Sequence, residues 1–273
     1  SFSCAYWRVD EKNKMLLIVY ATAFFKKEEL EHFLFVREEA EKRDHRKLGK
    51  QLDLFSFHEE GPGFPFFHPK GMVIRNQLME YERELFTEFG YEEIMTPIIL
   101  SKNLWLQSGH WEHYKENMYL TEIDEEEYAI KPMNCPGGIL YYKTQQHSYR
   151  ELPKRVGEFV IVHRHELHGA LHGLFRVRVF TQDDAHIFMT QEQMKDEVVK
   201  TMEMYRKLYN VFGLEYHVEL STRPENSMGS DELWEIATNA LKDAIESAKV
   251  PYIVNEGDGA FYGPKLDFHI KDC

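Results

Sequence analysis

The run FRVRVFTQDDAHIF, residues 175–188, gathers two arginines, an aromatic ring, an amide, carboxylates and an imidazole in one unbroken stretch. β-Branched and aromatic residues dominate it and Gly and Pro are absent, so it predicts a strand. Alternate side chains of a strand share a side. Arg176, Arg178, Phe180, Gln182, Asp184 and His186 therefore line one face, and Val177, Val179, Thr181, Asp183, Ala185 and Ile187 the other. FVIVHRHE, residues 159–166, predicts a second strand with Arg164 and Glu166 on the side of Val160 and Val162, and the glycines of LHGALHG suit the turn between the two. Guanidinium forks are rigid and always charged, which fits phosphate oxygens, and Phe180 offers a plane for a base to stack on. Together they suit a nucleoside triphosphate. The same residues also describe the salt-bridged outer face of an ordinary sheet.

His186 and Asp184 raise a metal as a separate possibility. Cys135, in YAIKPMNCPGG, follows a predicted strand beside a proline and two glycines, where a thiolate can point out of the sheet end. Cysteine plus histidine is a zinc-like donor set, and a catalytic zinc takes three protein ligands and one open position. The separation of Cys135 from His186 is too long for a local finger motif, so spacing alone leaves the pair open.

Two turns and several helices must position these groups. MYLTEIDEEEYAIKPM predicts a hairpin with an acidic turn. Apolar residues at helical spacing from Met72 to Phe89, closed by Gly90, predict a long amphipathic helix, and HEEGPGFPFFHPKG before it predicts a loop. YEEIMTPIIL predicts a strand whose Pro97 belongs at an edge, a bulge or an interface. QEQMKDEVVKTMEMYRKLYNVFG and SDELWEIATNALKDAIESAK predict two more helices, the second capped by Ser230. Strands LEYHVELS and those around a Gly-rich turn in YIVNEGDGAFYGPKLDFHIKDC complete the set. Hairpins with helices segregated between them define an α+β fold on a mostly antiparallel sheet. The N-terminal end predicts strands in YWR, MLLIVY and ATAF around the turn VDEKNK, then a charged helical connector over 26–50.

Composition sets the class. The 273 residues are 43% hydrophobic and 14% aromatic, an ordinary globular balance, with a formal charge of -13. That charge by itself argues against phosphate binding, but two basic clusters interrupt it: Lys42, Arg43, His45, Arg46, Lys47 and Lys50, then Lys143, His147, Arg150, Lys154 and Arg155. Both also read as solvated helix faces. Three widely spaced cysteines, Cys4, Cys135 and Cys273, give no disulfide framework and point to the cytoplasm. The longest apolar run, MLLIVYATAFF, falls short of the ~20 residues of a membrane span. With no initiator Met and an end in mid-pattern, the chain reads as a piece of something longer.

The strings GPGFPFFHPKG, GYEEIMTPIIL, SGHWEHYKENMY, AIKPMNCPGG, HRHELHGALHGLFRVRVFTQDDAHIF, STRPENSMGS and NEGDGAFYGPKLDFHIKD together resemble, in order and spacing, the catalytic core of the class II aminoacyl-tRNA synthetases, specifically the threonyl-tRNA synthetases. The resemblance runs from about Asp44 to the last residue. It implies a class II antiparallel sheet flanked by helices over 51–273, cut before the third class motif, with residues 1–25 the tail of a preceding, editing-associated domain. It further implies ATP and Mg2+ as reactants, zinc as a resident ion, threonine and tRNA(Thr) as partners, and a homodimer built through the segment around Pro97. Position by position, it assigns the ATP α-phosphate to Arg164, the adenine to Glu166 and Phe180, and the γ-phosphate to Arg176. Zinc falls to Cys135 and His186, and the threonine amino and hydroxyl groups to Asp184 and Tyr262, with Gln182, Met133 and Lys265 lining the same cavity.

Some positions depart from the family. Its third zinc ligand and the arginine of its third motif fall past Cys273, and His269 does not match the former, so the isolated chain is expected to be inactive although its parent is active. His168 stands where a small serine-like residue is expected. Two other classes compete: a catalytically silent synthetase-like binding or regulatory protein, and a zinc hydrolase on His186, Asp184 and Cys135. The hydrolase needs a general base beside a metal-bound water, and no HExxH-type pair supplies one.

Overall fold

A computed structural model describes the backbone of residues 2–6, 15–19 and 21–271 and the side chains of residues 21–271. The chain divides into two compact units, Ser1–Lys47 and Leu48–Asp272. In the first, β1 (Phe2–Tyr6) and β2 (Met15–Val19) pair antiparallel with Phe2 opposite Val19. The expected turn VDEKNK lies outside the described residues, and ATAF forms no strand. Helix α1 (Lys27–Lys42) buries no residue. Its charges pair along its own surface instead, Lys27 with Glu31 at 3.2 Å and Lys42 with Glu38 and Glu39 at 3.0 Å. The first basic cluster is thus partly neutralised by its sequence neighbours, as a solvated helix face requires.

Helix α2 (His45–Gln51) leads into β3 (Phe55–Ser56), which pairs with β4 (Phe66–Phe67) across the Gly–Pro loop. Helix α3 (Pro69–Phe89) starts on a proline, whose missing N–H costs nothing in a first turn, and stops at Gly90 in the left-handed conformation. The predicted strand over YEEIMTPIIL is split around Pro97 into β5 (Glu92–Glu93) and β6 (Ile99–Ser101). Helices α4 (Lys102–Gln107) and α5 (His110–Tyr114) follow. Then β7 (Tyr119–Ile123) and β8 (Glu126–Ile130) form the acidic hairpin, with Asp124 and Glu125 both at positive φ as a two-residue type I′ turn demands. Helix α6 (Cys135–Tyr142) precedes the central pair β9 (Lys154–His163) and β10 (Val179–Phe188). The chain closes with α7 (Met194–Phe212), β11 (Tyr216–Ser221), α8 (Asp231–Ala248), β12 (Tyr252–Asn255) and β13 (Lys265–Ile270). Ser230 caps α8 by accepting from the Leu233 N–H.

Three three-stranded sheets result, ordered β10–β9–β5, β12–β11–β13 and β6–β8–β7. Pairing is antiparallel except for β5 with β9 and β11 with β12, the latter linked by α8 as its crossover. The α+β class is the one expected. The central ladder, however, sits earlier on β9 and later on β10 than the sequence suggested. β9 spans Lys154–His163, not 159–166, and β10 begins at Val179, not at residue 175. The intervening chain finds other partners: Arg178 donates its N–H to Gly63 O at 2.7 Å, and its guanidinium donates to Pro62 O and Glu166 O at 2.8–3.1 Å. One ladder bond continues, from the Arg164 N–H to Arg178 O at 2.9 Å, and beyond it carbonyls of the Gly–Pro loop and Glu166 take the place of strand pairing.

Packing against the sheet keeps its two faces distinct. α3 lies against one face, where Phe86 stacks on Phe159 at 5.4 Å and Arg75 donates to Thr181 at 3.1 Å. Gly157 permits the approach, since a Cβ there would fall 2.5 Å from the Phe86 ring. Arg155 of β9 grips Glu197 of α7 through two hydrogen bonds of 2.5 Å, and Lys154 pairs with Glu92 at 3.0 Å, so much of the second basic cluster is committed internally. A second core joins Met202, Leu220 and Ile245 between α7, α8 and β11.

Glu82 of α3 is 9% exposed and its Oε2 has no hydrogen-bond partner among the described residues. Burial, then the nearby Asp183 carboxylate, pushes its pKa up from 4.5 to about 7. The folded chain therefore keeps a proton that the unfolded chain releases between pH 4.5 and about 7. The resulting stability is complete below that window and is lost as pH rises through it, on the order of 3 kcal/mol. Glu82→Gln is expected to flatten this dependence. Urea unfolding at pH 5 and pH 8 checks it, and an unchanged difference between the two pH values in the variant counts against the assignment.

Candidate active site

The predicted alternation on β10 holds over Thr181–His186, whereas Val179 and Phe180 are both half-buried and both line a cavity along α3. Gln182, Asp184 and His186 are half-buried, whereas Thr181, Asp183 and Ala185 are exposed on the opposite side. Across the ladder Gln182 stands opposite Val160 and Asp184 opposite Glu158. Above them opens a cavity of about 280 Å³ lined by Tyr114, Met133, Asn134, Cys135, Arg164, Gln182, Asp184, Ala260, Phe261 and Tyr262. Met133, Cys135, Arg164, Gln182, Asp184 and Tyr262, singled out from the sequence, thus line one cavity, whereas Glu166, Arg176, Phe180, His186 and Lys265 do not reach it. Two larger cavities, about 600 and 570 Å³, run along α3, and neither brings Arg164, Cys135 or Asp184 to its lining.

The arginines divide their work differently from the sequence expectation. Arg164 lies one residue past β9, donates from Nε to Pro132 O at 3.0 Å, and lays its guanidinium over the Phe180 ring at 5.1 Å and the Tyr114 ring at 5.9 Å. Arg176 is not on β10. It sits in the connecting hairpin, bridged by backbone to His172, with its side chain 59% exposed and its Nε 3.0 Å from Glu166 Oε2. Arg176 and Glu166 are therefore partners, placed at the mouth by the loop. Arg178 points away to the Gly–Pro loop as a structural clamp. His168 is exposed in a 3-10 turn of the same hairpin. Lys265, at the start of β13, pairs with Asp258 at 3.3 Å and Asp267 at 3.1 Å.

Cys135 is the first residue of α6, and His186 packs its ring against the next turn of that helix. A Cβ on Gly138 would come 3.0 Å from His186 Nδ1, so glycine is what lets β10 and α6 close up here. His186 Nδ1 also lies 3.4 Å from Asp184 Oδ2. Burial, then the Asp184 carboxylate, pushes the Cys135 thiol up to about 11. The thiol is protonated at neutral pH, and a metal would have to displace that proton to be bound. The donors fit a zinc-like ion in kind, sulfur and imidazole nitrogen, but this pair supplies fewer than the three ligands such a site uses.

Beneath the cavity lies a polar cluster that sequence reasoning missed. Lys131 and Glu158 are 1% and 3% exposed and form an ion pair at 3.2 Å. Lys131 Nζ also donates to Thr96 O at 3.2 Å, Thr96 Oγ1 at 2.9 Å and Asn134 Oδ1 at 3.1 Å. Glu158 accepts from the Thr96 N–H at 2.9 Å and from Asn134 Nδ2 at 2.8 Å, and the same amide reaches Asp184 Oδ2 at 3.2 Å. Lys131 and Asn134 flank the KPMN string, but a lysine in such a string normally reads as solvated. The other side of the cavity is held by rings: Phe261 stacks on His113 at 4.4 Å and meets buried His110 edge-on at 5.3 Å. Burial, then His113, lowers the His110 pKa and keeps that imidazole neutral. The sequence showed only a loop rich in Trp and His.

Mostly antiparallel strands carry an arginine over an aromatic ring and, beside it, a carboxylate, with a thiol and an imidazole on the adjoining helix and strand. The profile of the tRNA synthetase class II core domain (G, H, P, S and T) matches residues 119–273, and the chain belongs to that family. Within it, all 273 residues align at 68% identity with the threonine--tRNA ligase of Clostridium botulinum (strain Hall), covering 43% of that protein. The chain thus spans less than half the length of the curated relatives it matches. The RNA binding domain of threonyl-tRNA synthetase from Cryptosporidium parvum Iowa II superposes with a TM-score of 0.80 at 44% identity, over 84% of this chain and 58% of that one. Prolyl-tRNA synthetase of Giardia lamblia, in complex with prolyl-adenylate, shares the fold at a TM-score of 0.55 and 19% identity, over 60% and 34% of the two chains.

Breaking the buried pair from one side leaves an uncompensated charge, which typically costs about 3–5 kcal/mol. Lys131→Met is expected to lose that much stability by urea denaturation. A loss below ~1 kcal/mol would show that water, not Lys131, neutralises Glu158.

Proposed function

We propose that the parent polypeptide activates threonine with ATP and transfers it to tRNA(Thr). One observation carries this reading: Arg164, Gln182, Asp184, Tyr262, Met133 and Cys135 converge on one cavity, in a chain that aligns end to end with threonine--tRNA ligases. The amino acid's carboxylate attacks the α-phosphorus of ATP, pyrophosphate leaves, and the acyl group of the adenylate then passes to the terminal ribose of the tRNA. Little covalent work falls to the protein in such a step, so charge and alignment dominate. Arg164 provides a fixed cation for the α-phosphate next to the Phe180 plane, and Mg2+ supplements it on the polyphosphate. Arg176, more exposed, exchanges Glu166 for the γ-phosphate, which frees Glu166 for the adenine.

Asp184 receives the substrate ammonium group, with its carboxylate aimed by Asn134. Gln182, Tyr262 and Met133 shape the remaining wall, and Lys265 stands beyond it. Cys135 and His186, with a further donor, would hold zinc, which would supply a Lewis acid for the amino and hydroxyl groups of threonine. A hydroxyl-binding site rejects valine strongly because its polar groups are left unpaired, whereas serine, smaller by one methyl, is disfavoured by only about 1–3 kcal/mol. Met95, 92% exposed, and Ile98 and Ile99 flank Pro97 as an uncovered apolar strip, which suits the homodimer contact. No described helix is long and apolar enough to cross a membrane, in keeping with a cytoplasmic enzyme.

The test is amino-acid-dependent ATP–pyrophosphate exchange by a polypeptide of the relatives' length that carries these residues. Threonine is expected to support exchange, proline none, and Arg164→Ala to lower kcat/KM about 100-fold, the scale of losing one charge-stabilising donor. Exchange that does not depend on threonine, or that survives Arg164→Ala intact, removes the proposal.

A further inference from the structure

In the β12–β11–β13 sheet, β11 and β13 run antiparallel with His217 opposite His269 and Glu219 opposite Asp267. Among the described residues, His217, Glu219 and His269 are the one set of three donor side chains whose ligand atoms all lie within 4.8 Å of one another. We propose that they form a second metal site, for a borderline divalent cation of the zinc type, which clips β11 to β13.

The geometry points to a metal more than to a plain ion pair. The two imidazoles lie nearly parallel, with ring centroids 4.9 Å apart and 14° between their planes. Both converge on one carboxylate: His217 Nε2 is 3.2 Å from Glu219 Oε1 and His269 Nε2 is 3.6 Å from Glu219 Oε2. A tetrahedral zinc with ligands at about 2.0–2.1 Å spaces its donors about 3.4 Å apart; the three donor atoms already lie within 4.8 Å of one another, so small rotations of exposed side chains bring them to that spacing. An outer partner is already in place, since Asn255 on neighbouring β12 donates to Glu219 Oε2 at 3.1 Å and fixes the carboxylate. Asp267 on the same face is occupied by Ser221 Oγ at 2.6 Å and Lys265 at 3.1 Å, so it competes little for the ion.

Two imidazoles and one carboxylate select zinc, nickel or copper over magnesium and calcium, which prefer all-oxygen sets. The histidines are 56% and 50% exposed, so the remaining coordination position faces solvent and the ion exchanges freely. Binding joins two strands of the sheet and favours the folded chain by mass action. It also anchors the far end of β13, the strand on which Lys265 is carried.

Zinc and cobalt titrations of the full chain test this, with Cys135→Ser used to silence the other candidate metal site. The Cys135→Ser chain is expected to retain one zinc equivalent by equilibrium dialysis. Its cobalt adduct should show d–d bands without a sulfur-to-cobalt charge-transfer band. Adding His217→Ala and His269→Ala should abolish that equivalent and the zinc-induced rise in Tm, while the metal-free Tm stays where it was because both positions are exposed. Asn255→Ala should weaken affinity about 10-fold, as loss of an outer partner does. Equal zinc stoichiometry with and without the two histidines overturns the proposal, as does the absence of any retained zinc in the Cys135→Ser chain.

Discussion

A lysine and a glutamate shut away from water, Lys131 and Glu158, set the constraint around which this core is organised. Neither charge is tolerable alone in so dry a place, so each must be surrounded by partners, and the partners come from separate segments. Thr96 arrives from the stretch between β5 and β6, Asn134 from the start of α6, Glu158 from β9 and Asp184 from β10. Satisfying two buried ions therefore fixes the mutual placement of four elements. Hydrophobic packing tolerates small slides between elements; a multiply hydrogen-bonded ion pair does not. The cavity's aim inherits that intolerance, because Asn134 adjoins Cys135 and holds Asp184.

The central strand pair shows how one ladder carries two jobs. On one side Gln182 and Asp184 face the cavity and His186 packs on α6; on the other Gly157, Phe159 and Thr181 receive α3. A one-residue slip would exchange the two sets. Arg155, held by Glu197, and Glu158, held by Lys131, fix β9 itself on its two faces. The arginines around this ladder are sorted by what occupies their forks. Arg178 is saturated by carbonyls, Arg164 has Nε on a carbonyl and its plane over an aromatic ring, and Arg176 holds only a carboxylate at the surface.

Much of this was legible in the sequence. Period-two alternation placed Gln182, Asp184 and His186 together, and the helices ending at Gly90 and Gly213 were announced by their glycines. The limits of β9 and β10 were not, because the ladder competes with the Gly–Pro loop for Arg178, and that loop lies too far away in the chain for local patterning to sense. Lys131 was invisible for a related reason. A buried lysine looks like a surface lysine until the carboxylate that neutralises it has been located in space. Arg176 and Glu166 appeared to be strand residues because their alternation is right, yet a turn supplies the same proximity without a strand.

The separation of the buried partners along the chain has a consequence for synthesis. Glu158 follows Lys131 by 27 positions and Thr96 by 62. At translation speeds of about 5–20 residues per second, the ammonium group leaves the ribosome about 1–5 s before its carboxylate does. Throughout that interval the β6–β8–β7 sheet can form, but the lysine at its edge must stay hydrated. The nascent chain can therefore dry this centre only once β9 has emerged, which places assembly of the cavity late in the order of events.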